Sequence, residues 1–433
     1  MNGAFGEPYL PNGRGTEFTG RYVVVFDPDN QESGLNALYS SADIAPVERV
    51  RGTATAKAAG FQERPSASLL FEDLAVAVVD VSSEHRYSLV TAAEAEDAIL
   101  AAEPERKVYA SPITASQQAP TEFFPAFRSD DAVVAHHSRA ETASVQQPAW
   151  DETVATWGVQ AIRANISGLT GRGIKVAVLD SGVDTDHPDL SERIEATASF
   201  VPGETVEDSH GHGTHCIGTV AGPAIPHAGP RYGVAPDVRI LAGKVLNSLG
   251  SGTDGQIIAG IAWAVELGAR VISMSLGAPV GPGELFPLTY EVIAQRALDK
   301  GAVIVAAAGN SSRRPGFVAP VERPANCPSI LAVASVDKAF QTASTSCGGI
   351  NGQGGEVDIA APGVAVRSAA VGGGYVLMSG TSMATPHVAG VLALHAQAHP
   401  DASAAELTAG LLSSTMPLTQ LAKDVGAGLL QAP

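Results

Sequence analysis

The sequence predicts an α/β protein in which a three-layer domain, a parallel sheet between two layers of helices, follows a smaller α+β module. Three observations carry this reading. From Trp150 onward, short β-branched runs alternate with helical patterns, the arrangement that gives a parallel sheet covered on both faces. From about Gly20 to Ala110 the patterns run β-α-β-β-α-β. Between the two, residues 111–149 mix Pro, Ser, Gln and Ala without sustained periodicity and read as an exposed linker. At 433 residues and 45% hydrophobic, the chain is long enough for a large core and one smaller domain.

In the N-terminal module, which follows a flexible segment 1–19, Arg21–Phe26 reads as a strand and Asn30–Tyr39 as a helix. Strands follow near Ser66–Leu70 and Leu74–Val81, then a helix near Ala92–Ala102 and a strand at Lys107–Tyr109. This is a ferredoxin-like order. In the larger domain, 150–433, Gly173–Leu179 reads as a buried parallel strand ending at Asp180. Further strands fit Val238–Val245, Val271–Ser275, Ala302–Ala308 and Ile330–Ala334. Helices fit Asp254–Leu267, Thr289–Lys300 with Gly301 as its stop, and Ser382–Gln397; Ser403 and Glu406 form a capping box for another.

The stretch Gly380-Thr381-Ser382-Met383-Ala384 puts a serine at the mouth of a helix, where unpaired N–H groups and the helix dipole favour an anion. Pro386 fits a first turn, where N–H groups are spare. Such a serine serves either as an ordinary cap or as an acyl-transfer nucleophile. A nucleophile needs a base and an acid to orient that base. Asp180 stands at a strand end, the edge where open α/β sheets bind ligands. His212 lies in His210-Gly211-His212-Gly213-Thr214-His215-Cys216, with small glycines on either side. Three histidines and a cysteine in so short a run also suit a metal. No second Cys/His pair follows at finger spacing, however, and a His-Glu-x-x-His pattern is missing. Gly309-Asn310 ends another apolar run and reads on its own as a turn.

Together, Val176–Asp184 around Asp180, Gly211–His215 around His212, and Gly380–Gly390 around Ser382 resemble the subtilisin-like serine protease family, whose chain order of Asp, His and Ser they share. The likeness covers the chain from Trp150 on. It implies an endopeptidase with an Asp180/His212/Ser382 triad and Asn310 as a donor to the oxyanion. It also implies a substrate groove between Gly250-Ser251-Gly252 and Ser275-Leu276-Gly277, where a polypeptide binds by strand addition. By the same resemblance the N-terminal module is a propeptide that inhibits until cleaved, with self-cleavage somewhere in the linker. Two other readings use the same residues: a catalytically silent peptide-binding homologue, and an esterase or peptide ligase.

Glu322, before Arg323-Pro324-Ala325, falls near the far wall of the pocket. There it either favours Lys or Arg substrates by Coulomb attraction, pairs with Arg323, or points to solvent. The chemistry requires no cofactor. The family resemblance raises a structural calcium at Asp189 and a weaker cation site at Glu356 and Asp358, although the loop Ala221–Pro230 lacks the family's Asn-rich ligands. A net charge of −18 argues against nucleic acid and anionic membranes as partners, and no apolar run is long enough to span a bilayer. Cys216, Cys327 and Cys347 form no disulfide framework, which leaves a single Cys327–Cys347 pairing open; Cys216 resembles a free cysteine that some relatives carry near the catalytic histidine. Unpaired thiols and an N-terminus without a secretory pattern suit the cytoplasm, whereas propeptide-bearing relatives are often secreted.

Overall fold

The computed structural model describes residues 17–42, 44, 46–50, 68–110, 149–352 and 354–433. Most of the expected flexible N-terminus and nearly all of the linker lie outside them. The N-terminal unit comprises β1 (Phe18–Phe26), α1 (Gln31–Ala42), β2 (Glu48–Val50), β3 (Leu69–Phe71), β4 (Val76–Asp80), α2 (Arg86–Ala95) and β5 (Ile99–Ala110). The larger unit begins with α3 (Trp157–Ala161), β6 (Lys175–Asp180), β7 (Ile194–Ser199), α4 (His212–Ala221), β8 (Arg239–Lys244) and β9 (Ser251–Thr253). It continues through α5 (Asp254–Glu266), β10 (Val271–Met274), β11 (Leu276–Gly277), α6 (Leu288–Asp299), β12 (Val303–Ala307), β13 (Leu331–Val336) and β14 (Ile359–Pro362). The hairpin β15 (Val366–Ala370) and β16 (Gly374–Met378) precedes α7 (Thr381–Ala398), α8 (Ala404–Ser413) and α9 (Ala422–Val425).

The main sheet has the order β14-β13-β12-β10-β6-β8-β7, every neighbouring pair parallel. Apart from the edge strand β7, its strands are buried on both faces, as their continuous apolar runs require. One face packs on α5 and α6 through residues such as Ile257, Ile261 and Ile293. The other packs on α4 and α7 through Ile217, Val220, Met383 and Val388.

The N-terminal unit departs from its expected pattern in two places. Residues 86–95 form the second helix, and Ile99–Ala110 is one long strand, where the sequence suggested a helix over 92–102. Pairing with β1, from Val23 opposite Glu103 to Phe26 opposite Ile99, overrides the helix propensity of this Ala- and Glu-rich stretch. A short extra strand, β2, also runs parallel to β3.

Along β1 the side chains alternate, and both faces are apolar. Val24 and Phe26 pack with Leu35, Leu38 and Leu89 beneath α1 and α2. Val23 and Val25, with Val76, Val78 and Val108, join the apolar cluster that holds Ile257, Tyr290 and Ile293 of the larger unit. A sheet with two apolar faces needs a partner on each, and α5 and α6 supply the second. The contact is polar at its ends. The carboxylate of Glu103 accepts the N–H of Leu288 (3.0 Å) and the hydroxyl of Thr289 (2.5 Å), capping α6. Glu105 accepts the N–H of Gly255 (3.0 Å) at the start of α5, and Arg296 donates to the carbonyl of Phe26 (2.6 Å).

Asp254, the first residue of α5, is buried in this contact. It accepts the Arg106 N–H (2.8 Å) and the Tyr290 hydroxyl (3.0 Å). Burial above all, aided by the Glu105 carboxylate and opposed by the Arg106 N–H, pushes its carboxyl up to about 7. Exposed, such a group titrates near 3.9. Docking of the two units therefore takes up a proton. The contribution is complete below about pH 4 and is lost as pH rises through about 7. Opening of the contact should ease by up to about tenfold per pH unit across that window, and Asp254→Asn should flatten the profile. Hydrogen exchange of the β5 amides, corrected for intrinsic rates in a chain kept intact by Ser382→Ala, measures this. Protection that does not change with pH in the Asp254 chain would contradict it.

Candidate active site

In a parallel sheet all carboxyl ends share one edge, and the candidate residues gather there. Asp180 is the last residue of β6, His212 the first of α4, Ser382 the second of α7, and Asn310 lies just beyond β12. All four are at most 3% exposed.

The His212 Nδ1 lies 2.7 Å from Asp180 Oδ1, which also accepts the Ser181 N–H (2.7 Å). A proton on Nδ1, donated to that carboxylate, leaves the lone pair on Nε2. Burial works against the imidazolium, but Asp180 and Cys216 together outweigh it and hold the imidazole pKa well above its ordinary value. Gly211, at φ +91°, starts the helix, and a Cβ on Gly213 would stand 2.2 Å from the carbonyl oxygen of Gly182. Asp208, absent from the sequence-based set, organises this corner. Its carboxylate accepts the N–H groups of His210, Gly211 and Thr214 and the hydroxyls of Ser181 and Thr214, at 2.7–3.0 Å. Burial would raise its pKa, yet these donors hold it below the usual value. Its position just before the helix start was the available signal.

The helix α7 begins at Thr381, so Pro386 is its sixth residue and lies beyond the first turn. Lacking an N–H, it leaves the Ser382 carbonyl without its i+4 donor. The Ser275 hydroxyl (2.8 Å) and the Cys216 thiol (3.6 Å) donate to that carbonyl instead. Cys216 Sγ also lies 3.9 Å from His212 Nδ1, which links the two helix starts. Ser382 Oγ donates to the Ser275 carbonyl (3.2 Å), and His212 Nε2 is buried without a partner. The Ser382–His212 hydrogen bond is thus open in this conformer, as is common in catalytic sites without substrate. Asn310 is held through Oδ1, which accepts the N–H (3.0 Å) and the hydroxyl (3.3 Å) of Thr381. Its Nδ2 is buried and partnerless, beside Gly380, where a Cβ would stand 3.1 Å from that nitrogen.

The family model described as the subtilase family, peptidase S8, matches residues 171–428. The chain is 44% identical over 249 residues to subtilisin of Bacillus pumilus, covering 56% of this chain and 85% of that protein. Against subtilisin E of Bacillus subtilis (strain 168) the identity is again 44%, over 61% of that protein's length. Against subtilisin Savinase of Lederbergia lenta it is 41% over 282 residues, 64% of this chain and 96% of that one. The chain belongs to the subtilase family.

In this subtilase the expected groove residues lie on either side of β5. The segment pairs antiparallel with β9, Val108 opposite Gly252 and Tyr109 opposite Ser251. On its other edge Tyr109 lies opposite Gly277 and Ala110 opposite Leu276. Ala110 donates its N–H to the Gly250 carbonyl (2.8 Å). Glu322 neither pairs with Arg323 nor points to solvent. Arg323 pairs with Glu284, and Glu322, 3% exposed, turns inward to accept the Ser311 hydroxyl (2.6 Å) and the Asn310 N–H (3.3 Å). Among the described residues no helix is long and apolar enough to cross a membrane.

The expected calcium residues do not fit a cation. The Asp189 carboxylate accepts the His227 N–H (2.7 Å) and the hydroxyls of Tyr232 and Tyr375 (both 2.8 Å), so protein donors surround it. Asp358 turns to the Ala332 N–H (2.7 Å) with its carboxyl pushed up to about 6 by burial, while Glu356 is exposed. A calcium ligand has to be ionised and free to point at the ion. Among the described residues the group with three ligating atoms close together is Asp180, His212 and Cys216, in the catalytic corner itself. A chelator should therefore leave the melting temperature unchanged. Tyr375→Phe should lower stability by about 1 kcal/mol through the lost bond to Asp189. Thermal unfolding with and without chelator checks both, and a chelator-dependent fall would restore the cation.

Proposed function

We propose that this subtilase hydrolyses internal peptide bonds through acyl transfer to Ser382. The observation that carries the reading is a pair of buried, partnerless groups on residues tied to the start of the serine helix. They are the His212 Nε2, whose ring reaches the Ser382 carbonyl through Nδ1 and the Cys216 thiol, and the Asn310 Nδ2, whose amide oxygen is held by Thr381. Turned away from the Ser275 carbonyl, Ser382 Oγ gives its proton to Nε2 and attacks the substrate carbonyl carbon. Asp180 stabilises the imidazolium so formed. The oxyanion takes hydrogen bonds from Asn310 Nδ2 and the Ser382 N–H. His212 then returns the proton to the leaving amine, and water, activated by the same imidazole, releases the acid from the acyl-enzyme.

A zymogen organisation completes the proposal. β5 lies between the two groove edges in the antiparallel manner of a bound peptide, which supports reading the N-terminal unit as an intramolecular inhibitor. Processing then falls downstream of Ala110.

A fluorophosphonate probe should label the chain, and Ser382→Ala should abolish labelling; a folded but unlabelled wild type would favour the silent-homologue reading. The acid limb of kcat/KM should lie above the ordinary imidazole range, because His212 acts neutral and Asp180 raises its pKa. Asp180→Asn should move that limb to lower pH and reduce kcat by about 10⁴. A pH–rate profile of both proteins decides, and an unmoved limb would remove Asp180 from the mechanism.

A further inference from the structure

The acidic residue at the edge of the pocket does something other than face a substrate. Glu322 follows the strand-end region around Ala308, donating its own N–H to that residue's carbonyl (2.9 Å), and its side chain turns back beneath the Gly309–Asn310 turn. A Cβ on Gly309 would stand 2.3 Å from the Glu322 carboxyl carbon, so the turn rests directly on this group; Gly309, at φ +105°, leaves room for it. Oε1 accepts the Asn310 N–H and the Ser311 hydroxyl, and the Cys347 thiol lies 3.9 Å away. Cys347 in turn donates its N–H to the Gly309 carbonyl (3.0 Å) and accepts the Ser311 N–H at Sγ (3.4 Å).

Asn310 is thereby held at both ends. Thr381 fixes the far end of its side chain, and Glu322 fixes the backbone from which that side chain springs. A buried carboxylate accepting backbone and hydroxyl donors is a strong, short-range anchor. An oxyanion donor works only when it is aimed before charge develops, since moving it during reaction forfeits the gain.

We infer that Glu322 is a positioning residue for the oxyanion donor Asn310, holding the Gly309–Asn310–Ser311 turn so that the amide Nδ2 points at the reacting carbonyl. The inference rests on the proposed role of Asn310.

The test is a double-mutant cycle with peptide substrates carrying Ala, Phe or Arg before the scissile bond. Turnover is expressed per active site titrated with fluorophosphonate, so that misfolded protein does not count. Glu322→Ala should lower kcat about tenfold with KM within about twofold, equally for all three substrates. Glu322→Gln keeps an acceptor oxygen and should stay within about threefold of wild type. Asn310→Ala should cost about 10²–10³ in kcat, a magnitude established for the corresponding donor in subtilisin; adding Glu322→Ala to it should cost no more than about twofold further. A tenfold loss that persists in full on the Asn310→Ala background overturns the inference. So does a change confined to KM for the Arg peptide, which would make Glu322 a substrate-selecting group. If Asn310→Ala alone costs less than about tenfold, the role of Asn310 fails first and this inference falls with it.

Discussion

Proline at the sixth position of α7 denies the Ser382 carbonyl its helical donor, and the architecture around this serine is arranged about that one group. A buried carbonyl left unpaired costs about 1–3 kcal/mol. The hydroxyl of Ser275, just past β10, and the thiol of Cys216, on α4, fill the gap together. Satisfying the carbonyl therefore binds strand β10, the histidine helix and the serine helix into one corner. The backbone of Ser382 is fixed by these contacts, while its hydroxyl makes a single contact of its own, with the Ser275 carbonyl. Rotation of that one side chain is then enough to redirect the hydroxyl without disturbing the helix.

Charge is distributed in the same corner with similar economy of motion. Asp208 takes five donors and remains ionised despite burial, because hydrogen bonds to the charged form outweigh desolvation. Asp180 keeps one oxygen, Oδ2, buried without a partner and spends the other on His212 and Ser181. The two aspartates divide the work. One builds the loop that presents His212; the other holds its imidazole through Nδ1. His215 and His387, buried in the same helices, are pushed down to about 3 and about 4, chiefly by burial, and stay neutral beside the imidazole that has to titrate.

Much of this was legible in the chain because the chemistry depends on local signatures. Asp180 at a strand end, His212 among glycines and Ser382 after Gly380 can each be read from a few neighbours, and the parallel sheet follows from alternating patterns. What the sequence hid depends on contacts between distant segments. The Ala- and Glu-rich stretch that opens β5 has the propensity of a helix, and only pairing with β1 makes it a strand. Asp189 has the look of a cation ligand until Tyr232 and Tyr375, 43 and 186 residues away, donate to it. Glu322 invited comparison with its neighbour Arg323, yet its partners lie across the turn at Asn310 and Ser311. Periodicity reports which face of an element is apolar; it is silent on which donor reaches which acceptor.

The strand β5 ties the two strands it lies between, β9 and β11, to the condition of two helices. Its tip pairs with β9 and β11, while its middle sends Glu105 to the start of α5 and Glu103 to the start of α6. The two helices differ in what they own. Thr253 and Gln256 form a complete capping box on α5, so Glu105 adds to an end already closed. The N-cap of α6 is Pro287, which has no side-chain bond to give, and Glu103 supplies the cap across the contact. Removing the N-terminal unit would therefore leave α5 intact at its start and open the first turn of α6. That turn lies near Cys327, whose thiol donates to the Pro287 carbonyl, and near Glu284, which pairs with both Arg106 and Arg323. The pocket side of the larger unit is thus coupled to the N-terminal unit through α6, and the groove itself is coupled to it through β9 and β11.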